Sequence, residues 1–168
     1  MIKTVKGGLS GEGLKIAIIA SRFNEEITSN LIKGAVLSLK QNGVQEKDIT
    51  LYYIPGAYEI PSVLESVCRK NNDYKYDGIL TIGCVIKGET AHFEYISSSV
   101  SQNINLIASK YSVPVGFCVL TTYTDEQAEK RSQIKDCCSE NNKGYEAGES
   151  LIETINLMKK IYLVKIVL

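Results

Sequence analysis

Gly78-Ile79-Leu80-Thr81-Ile82-Gly83-Cys84-Val85-Ile86-Lys87-Gly88-Glu89-Thr90-Ala91-His92-Phe93-Glu94-Tyr95 holds both halves of a strand-to-helix junction. Its apolar front reads as a fully buried strand over about 78–85. The pattern breaks at Lys87-Gly88 and restarts as a helix to about residue 111, with Thr90 as N-cap and Phe93, Ile96 and Val100 on one face. A strand that empties through glycine into a helix start leaves backbone N–H groups unpaired, and that partly positive end favours anions, phosphate above all. His92, the single histidine of 168 residues, falls in the first turn. Histidine is the side chain best suited to proton transfer near neutral pH. A lone histidine at a helix start is more often a solvated surface residue, and the turn alone would serve as an ordinary capped loop. Their joint position at the carboxyl end of a strand, where open α/β sheets place their chemistry, makes His92 a catalytic candidate.

Upstream, residues 1–13 are glycine-rich and form an arm or at most an edge strand. Leu14 to Ala20 is the first strong strand, and Asn24 caps a helix carrying Ile27, Leu31, Ala35 and Leu39 that stops at Asn42-Gly43. Ile49 to Ile54 is the second strand, closed by Pro55-Gly56; Pro61 fits the first turn of the next helix, which stops in the polar cluster Asn71-Asn72-Asp73. Downstream, Val115 to Leu120 is the fourth strand, followed by a helix from about Asp125 to Lys135, a polar break from Asp136 to Asn142 and a final helix from near Gly144. The apolar tail, residues 161–168, is expected to pack on its own subunit or on a neighbour. Strand–helix units in series, with strands apolar throughout, predict an α/β protein: one three-layer α/β/α domain over 1–168 with a mainly four-stranded parallel sheet.

Composition narrows the function classes. Hydrophobic content of 44% and charged content of 23% are those of an ordinary globular chain. With 19 basic and 19 acidic residues there is no basic excess, so no nucleic-acid partner is expected. No apolar run reaches the roughly 20 residues of a membrane span, and the N-terminus lacks a charged-then-apolar signal. No membrane partner is therefore expected, and the cytoplasm is the expected location. The 5 cysteines lack C-x-x-C spacing, and Cys137-Cys138 with one distant histidine makes a poor metal site. All are expected to be reduced thiols, with no metal bound.

In a parallel α/β fold the segments after each strand meet at one rim. Here they are Ser21 to Asn24, Gly56 to Glu59, Ile86 to His92 and Thr121 to Tyr123. The set offers an aromatic ring, a carboxylate, an anion seat and an imidazole, and suits a planar heterocycle with a phosphorylated co-substrate. Phe23 stands where a phosphate loop would want glycine or a small hydroxyl residue; it suits stacking on a ring, with core packing the alternative. Gln127 and Arg131 lie one helical turn apart, and Arg131 is either a phosphate clamp or a solvated arginine paired with a nearby acid.

Five blocks, in order, resemble the lumazine synthase family: Ser21 to Asn24; Ile54 to Pro61; Gly83 to Tyr95; Val119 to Thr122 with Glu126 to Ala128; and Asn142 to Gly144 with Glu146-Ala147. The resemblance implies a flavodoxin-like fold. It also implies a transferase that condenses 5-amino-6-(D-ribitylamino)uracil with 3,4-dihydroxy-2-butanone 4-phosphate, releasing phosphate and water without metal or organic cofactor. On that resemblance Phe23 stacks on the pyrimidine, Ala57, Tyr58 and Glu59 hold the ribityl-pyrimidine, and Cys84, Val85 and Ile86 line the ring. Glu89 and Thr90 receive the phosphorylated ketone and His92 shuttles protons. Phe117 and Arg131 match residues lent by a neighbouring subunit, with Lys135 assisting Arg131. The family forms pentamers, in some members closed into a sixty-subunit shell.

The chain departs from the family pattern in places. Tyr58 replaces the usual phenylalanine and Cys118 a common glycine, Ser132-Gln133-Ile134 replaces a small-residue turn, and the turn through Asn142 is longer. The tail after Lys160 has no counterpart. The longer turn predicts a homopentamer over a shell. Rival readings are a flavodoxin-like flavin or nucleotide carrier and a shell protein without catalysis.

Overall fold

The computed structural model describes residues 2–70, 75–134 and 141–164. Four parallel strands, β1 (Ile16–Ser21), β2 (Ile49–Ile54), β3 (Gly78–Ile86) and β4 (Val115–Thr122), lie in the order β2-β1-β3-β4. Ile16 pairs with both Ile49 and Gly78, and Ile79 pairs with Val115, so all four strands run in one direction. The helices are α1 (Glu25–Gln41), α2 (Ile60–Arg69), α3 (His92–Tyr111), α4 (Asp125–Ser132) and α5 (Lys143–Val164). The arrangement is the expected three-layer flavodoxin-like α/β/α fold.

Strand periodicity divides the core between two faces. Ile16, Ile18, Leu80 and Ile82 pack with Leu31 and Leu39 of α1 and Leu151 and Ile152 of α5. Ala17, Ile19 and Ile79 face the other way, onto Ile60 and Leu64 of α2 and Val100 and Ile104 of α3. Each large aliphatic side chain removed from water in these layers contributes about 1.5–3 kcal/mol. The central strands β1 and β3 are buried on both faces, whereas β2 is half-exposed, with Tyr53 outward. Apolar composition throughout therefore marks only the middle of the sheet, because an edge strand lacks a neighbour on one side.

Several local expectations are corrected. Asn24 does occupy the N-cap position of α1, but its backbone is left-handed (φ 57°) and its side chain makes no cap. Its Nδ2 instead donates to the Cys84 carbonyl at 3.0 Å, tying the β1–α1 loop to β3. Helix α3 starts at His92 with Ala91 as its uncapped N-cap, so Thr90 is not the cap; its side chain lines a cavity instead. Helix α4 ends at Ser132, short of the expected Lys135. The arm is not an edge strand: it lies along α5 of its own chain, where Asn156 Nδ2 donates to the Gly8 and Ser10 carbonyls and Lys160 Nζ to the Lys6 carbonyl. Of the tail, Ile161, Tyr162 and Leu163 continue α5 but stay exposed rather than packing on their own subunit. The cluster 71–73, Lys135, Cys137, Cys138 and residues 165–168 lie outside the described residues.

Cys68, Cys84 and Cys118 are free and buried. Burial pushes the Cys68 thiol up to about 11 and those of Cys84 and Cys118 up to about 12, so all three are neutral near pH 7. Among the described residues no helix is long and apolar enough to cross a membrane.

Candidate active site

The strand order reverses between β1 and β3: the chain leaves β1 for β2 on one side and returns to β3 on the other. A crevice opens at the carboxyl ends of strands at such a switch point. Here it is a cavity of about 360 Å³, walled by segments that follow three strands. Pairing between β1 and β2 runs past the strand ends, with the Arg22 N–H donating to the Ile54 carbonyl (2.8 Å) and the Phe23 N–H to the Pro55 carbonyl (3.0 Å). That pairing carries Phe23 to the cavity mouth, where the residue is 69% exposed. Core packing is thereby excluded for Phe23.

The β2–α2 turn supplies Gly56, Ala57 and Tyr58 to the wall. Glu59 does not line the cavity; its Oε2 accepts from the Gly56 N–H (2.9 Å) and stiffens the turn from below. Tyr58 is 61% exposed, so the hydroxyl that distinguishes it from phenylalanine can be satisfied by water. From β3 come Cys84, Val85 and Ile86, an apolar floor, and from the β3–α3 loop and α3 come Gly88, Thr90 and His92. Glu89 is exposed beside Thr90 and is not part of the wall.

Besides the glycines Gly56 and Gly88, two lining residues were not singled out as site residues, Phe93 and Ile96. Their signal was present as the apolar face of α3, which reads equally well as core. Phe93 meets Tyr123 of the β4–α4 loop at 6.0 Å between ring centroids. Lys87 sits 5.5 Å over the same Tyr123 ring and 3.4 Å from the Glu94 carboxylate. Together they brace the loop that carries Thr90 and His92.

Phe117 and Arg131 are elsewhere. They line a second cavity of about 440 Å³ along the β4 edge, which shares no residue with the first. Thr124 sets α4 by accepting from the Gln127 N–H (3.3 Å), and Gln127 Oε1 accepts in turn from the Tyr123 N–H (3.0 Å). The exposed Arg131 guanidinium donates to the Gln127 carbonyl (3.0 Å) and has no acidic partner among the described residues. The described residues thus supply no acid to pair with the arginine, while Asp136 and Glu140 lie outside them. Lys143, at the start of α5, lines the same cavity and reaches Glu146 at 2.6 Å. Lys143 was missed as a site residue because it lies far from Arg131 in sequence.

The first cavity can accept a flat heterocycle between Phe23 and the β3 floor, with an imidazole and a helix start at one end. The second presents cations on an open edge. Compared with known families, the chain matches the model of 6,7-dimethyl-8-ribityllumazine synthase over residues 13–159. It belongs to the lumazine synthase family. Lumazine synthases are transferases of riboflavin biosynthesis acting on small molecules, and both cavities lie inside the matched stretch. The arm before residue 13 and the last turn of α5 lie outside it.

Proposed function

We propose that the protein condenses 5-amino-6-(D-ribitylamino)uracil with 3,4-dihydroxy-2-butanone 4-phosphate, giving 6,7-dimethyl-8-ribityllumazine, phosphate and water. One observation carries the reading: Phe23, Ala57, Val85, Ile86, Thr90 and His92 line a single cavity at the switch point. The pyrimidine stacks on Phe23 over Val85 and Ile86, beside Cys84, with its ribityl chain toward Ala57, Tyr58 and Glu59. The ring amine attacks the ketone and loses water to form a Schiff base. Phosphate is then eliminated, and the remaining amine closes on the second carbonyl with loss of water. Each step moves a proton, and His92 at the cavity end serves as acid and base. Holding two substrates in register supplies much of the acceleration. No step transfers an electron, so none calls for a redox cofactor.

The phosphate lies between the Glu89-Thr90 segment with the start of α3 and the cations of a neighbouring copy. That neighbour contributes Phe117 and Arg131, with Lys143 and Lys135 in support. The separation of the two cavities supports this sharing, because within one chain Arg131 does not line the cavity that holds His92. The assembly is a cytoplasmic homopentamer rather than a sixty-subunit shell, a reading that rests on the length of the sequence between α4 and Asn142.

Mixing the protein with both substrates tests the reaction. The lumazine's absorbance and fluorescence should grow as phosphate is released, and no product at micromolar enzyme would overturn the reading. Stoichiometric FMN binding without turnover would favour the carrier. Analytical ultracentrifugation tests the assembly, with a pentamer expected and a megadalton species contradicting it.

A further inference from the structure

Asn142 is the least expected residue beside the cation-bearing cavity. Its side chain is fully buried, at 0% exposure, in a position just outside helix α5. Its Oδ1 accepts from the Gly144 N–H (2.9 Å) and the Tyr145 N–H (3.1 Å), and its backbone carbonyl accepts from the Glu146 N–H. Asn142 is therefore the N-cap of α5. Its Nδ2 points the other way, donating to the Ser132 carbonyl (3.1 Å), the Gln133 carbonyl (3.3 Å) and the Asn30 carbonyl of α1 (3.0 Å). Ser132 is the last residue of α4. One amide thus closes two helix ends at once.

The chemistry of that position is restrictive. The start of α5 offers orphan N–H groups with partial positive charge, and the end of α4 offers orphan carbonyls with partial negative charge. A carboxylate satisfies only the first and an ammonium only the second. A primary amide carries acceptor and donor on one flat group and stays neutral, so it can be buried there. Gly34 on α1 leaves the room for it, because a side chain at that position would collide with Asn142 Oδ1.

The helix ends so joined carry the two cations. Arg131 is the residue before Ser132, and Lys143 is the residue after Asn142. We infer that Asn142 is a positioning residue that holds Arg131 and Lys143 together on the cavity wall, and so sets recognition of the phosphorylated substrate. The inference rests on the phosphate-clamp reading of Arg131. It also explains how the site tolerates the longer turn, since the clasp of Asn142 on Ser132 and Gln133 fixes its base whatever lies between.

The test compares Asn142→Ser, Arg131→Ala and the double variant in the full chain, by steady-state kinetics with each substrate varied in turn. Serine still caps α5 but cannot reach α4. Asn142→Ser should raise KM for the phosphorylated ketone roughly 5- to 30-fold while KM for the pyrimidine stays within about 2-fold. The double variant should lose less than the product of the two single losses, because the arginine's share of the Asn142 effect is already gone and only Lys143 remains to be displaced. Asn142→Thr, which keeps a neutral α5 cap, fills more of the buried space and cannot reach the α4 carbonyls, gives the same readout should the serine variant fold poorly. Equal loss for both substrates would mean a merely structural role and overturn the inference. So would an unchanged ketone KM in Asn142→Ser alongside a raised one in Arg131→Ala. An unchanged ketone KM in Arg131→Ala overturns the clamp reading itself, and the inference with it.

Discussion

The two cavities are built by opposite means. The one holding His92 gathers segments from the ends of β1, β2 and β3 over an apolar floor, each segment fixed by backbone pairing that continues past its strand. The one holding Arg131 runs along the outer side of β4, an edge strand, and its cations hang from two helix ends. Sheet closure organises the first within one chain. The second faces outward, with Phe117 47% exposed and no acid neutralising Arg131 among the described residues. The half-exposed ring and the guanidinium line one open wall, a surface that a neighbouring copy could cover. That contrast supports division of labour, with the pyrimidine and proton transfer at one cavity and phosphate at the other.

Substitutions can break that division. His92→Ala should act on chemistry, lowering kcat about 10- to 1000-fold with KM for either substrate little changed; an unaltered kcat removes the imidazole from the mechanism. Arg131→Ala should act on the other half, weakening the phosphorylated ketone roughly 10- to 150-fold, the range of a lost charge-assisted hydrogen bond, while the pyrimidine binds normally. Mixing the two variants sharpens the comparison. If neighbouring copies complete one another's sites, co-assembled His92→Ala and Arg131→Ala chains recover activity that neither has alone. Absence of recovery after verified subunit exchange would place both functions in one chain.

Smaller effects follow. Phe23→Ala should raise KM for the pyrimidine roughly 2- to 10-fold, because a stacked ring contributes about 0.5–1.5 kcal/mol, and should leave the melting temperature unchanged because the ring is already exposed. A falling melting temperature would return Phe23 to a packing role. Thr124→Ala removes the α4 cap, worth about 1 kcal/mol, and should lower the melting temperature by about 2–4 °C. Since α4 carries Arg131, the ketone KM should rise with it, and an equal change for the pyrimidine would show that the cavities are not separable.

Much of this was legible in the sequence. Apolar runs such as Gly78 to Ile86 and periodic faces such as Leu31, Ala35 and Leu39 determined the strands, the helices and their layering, because burial on a pleated or helical surface imposes its period on the chain itself. The carboxyl-end segments with Phe23, Tyr58, Thr90 and His92 followed, since a parallel sheet must bring them to one rim. Tertiary structure alone decided what depends on partners remote in sequence. Asn24 looked like a cap and instead reaches Cys84, and the arm could have been an edge strand but lies on α5. Asn142 shows no periodicity, yet it joins α1, α4 and α5, and through it Lys143 comes to the same wall as Arg131. A hydrogen bond from one side chain to a distant carbonyl leaves no pattern along the chain, because any backbone carbonyl can accept it whatever residue carries it.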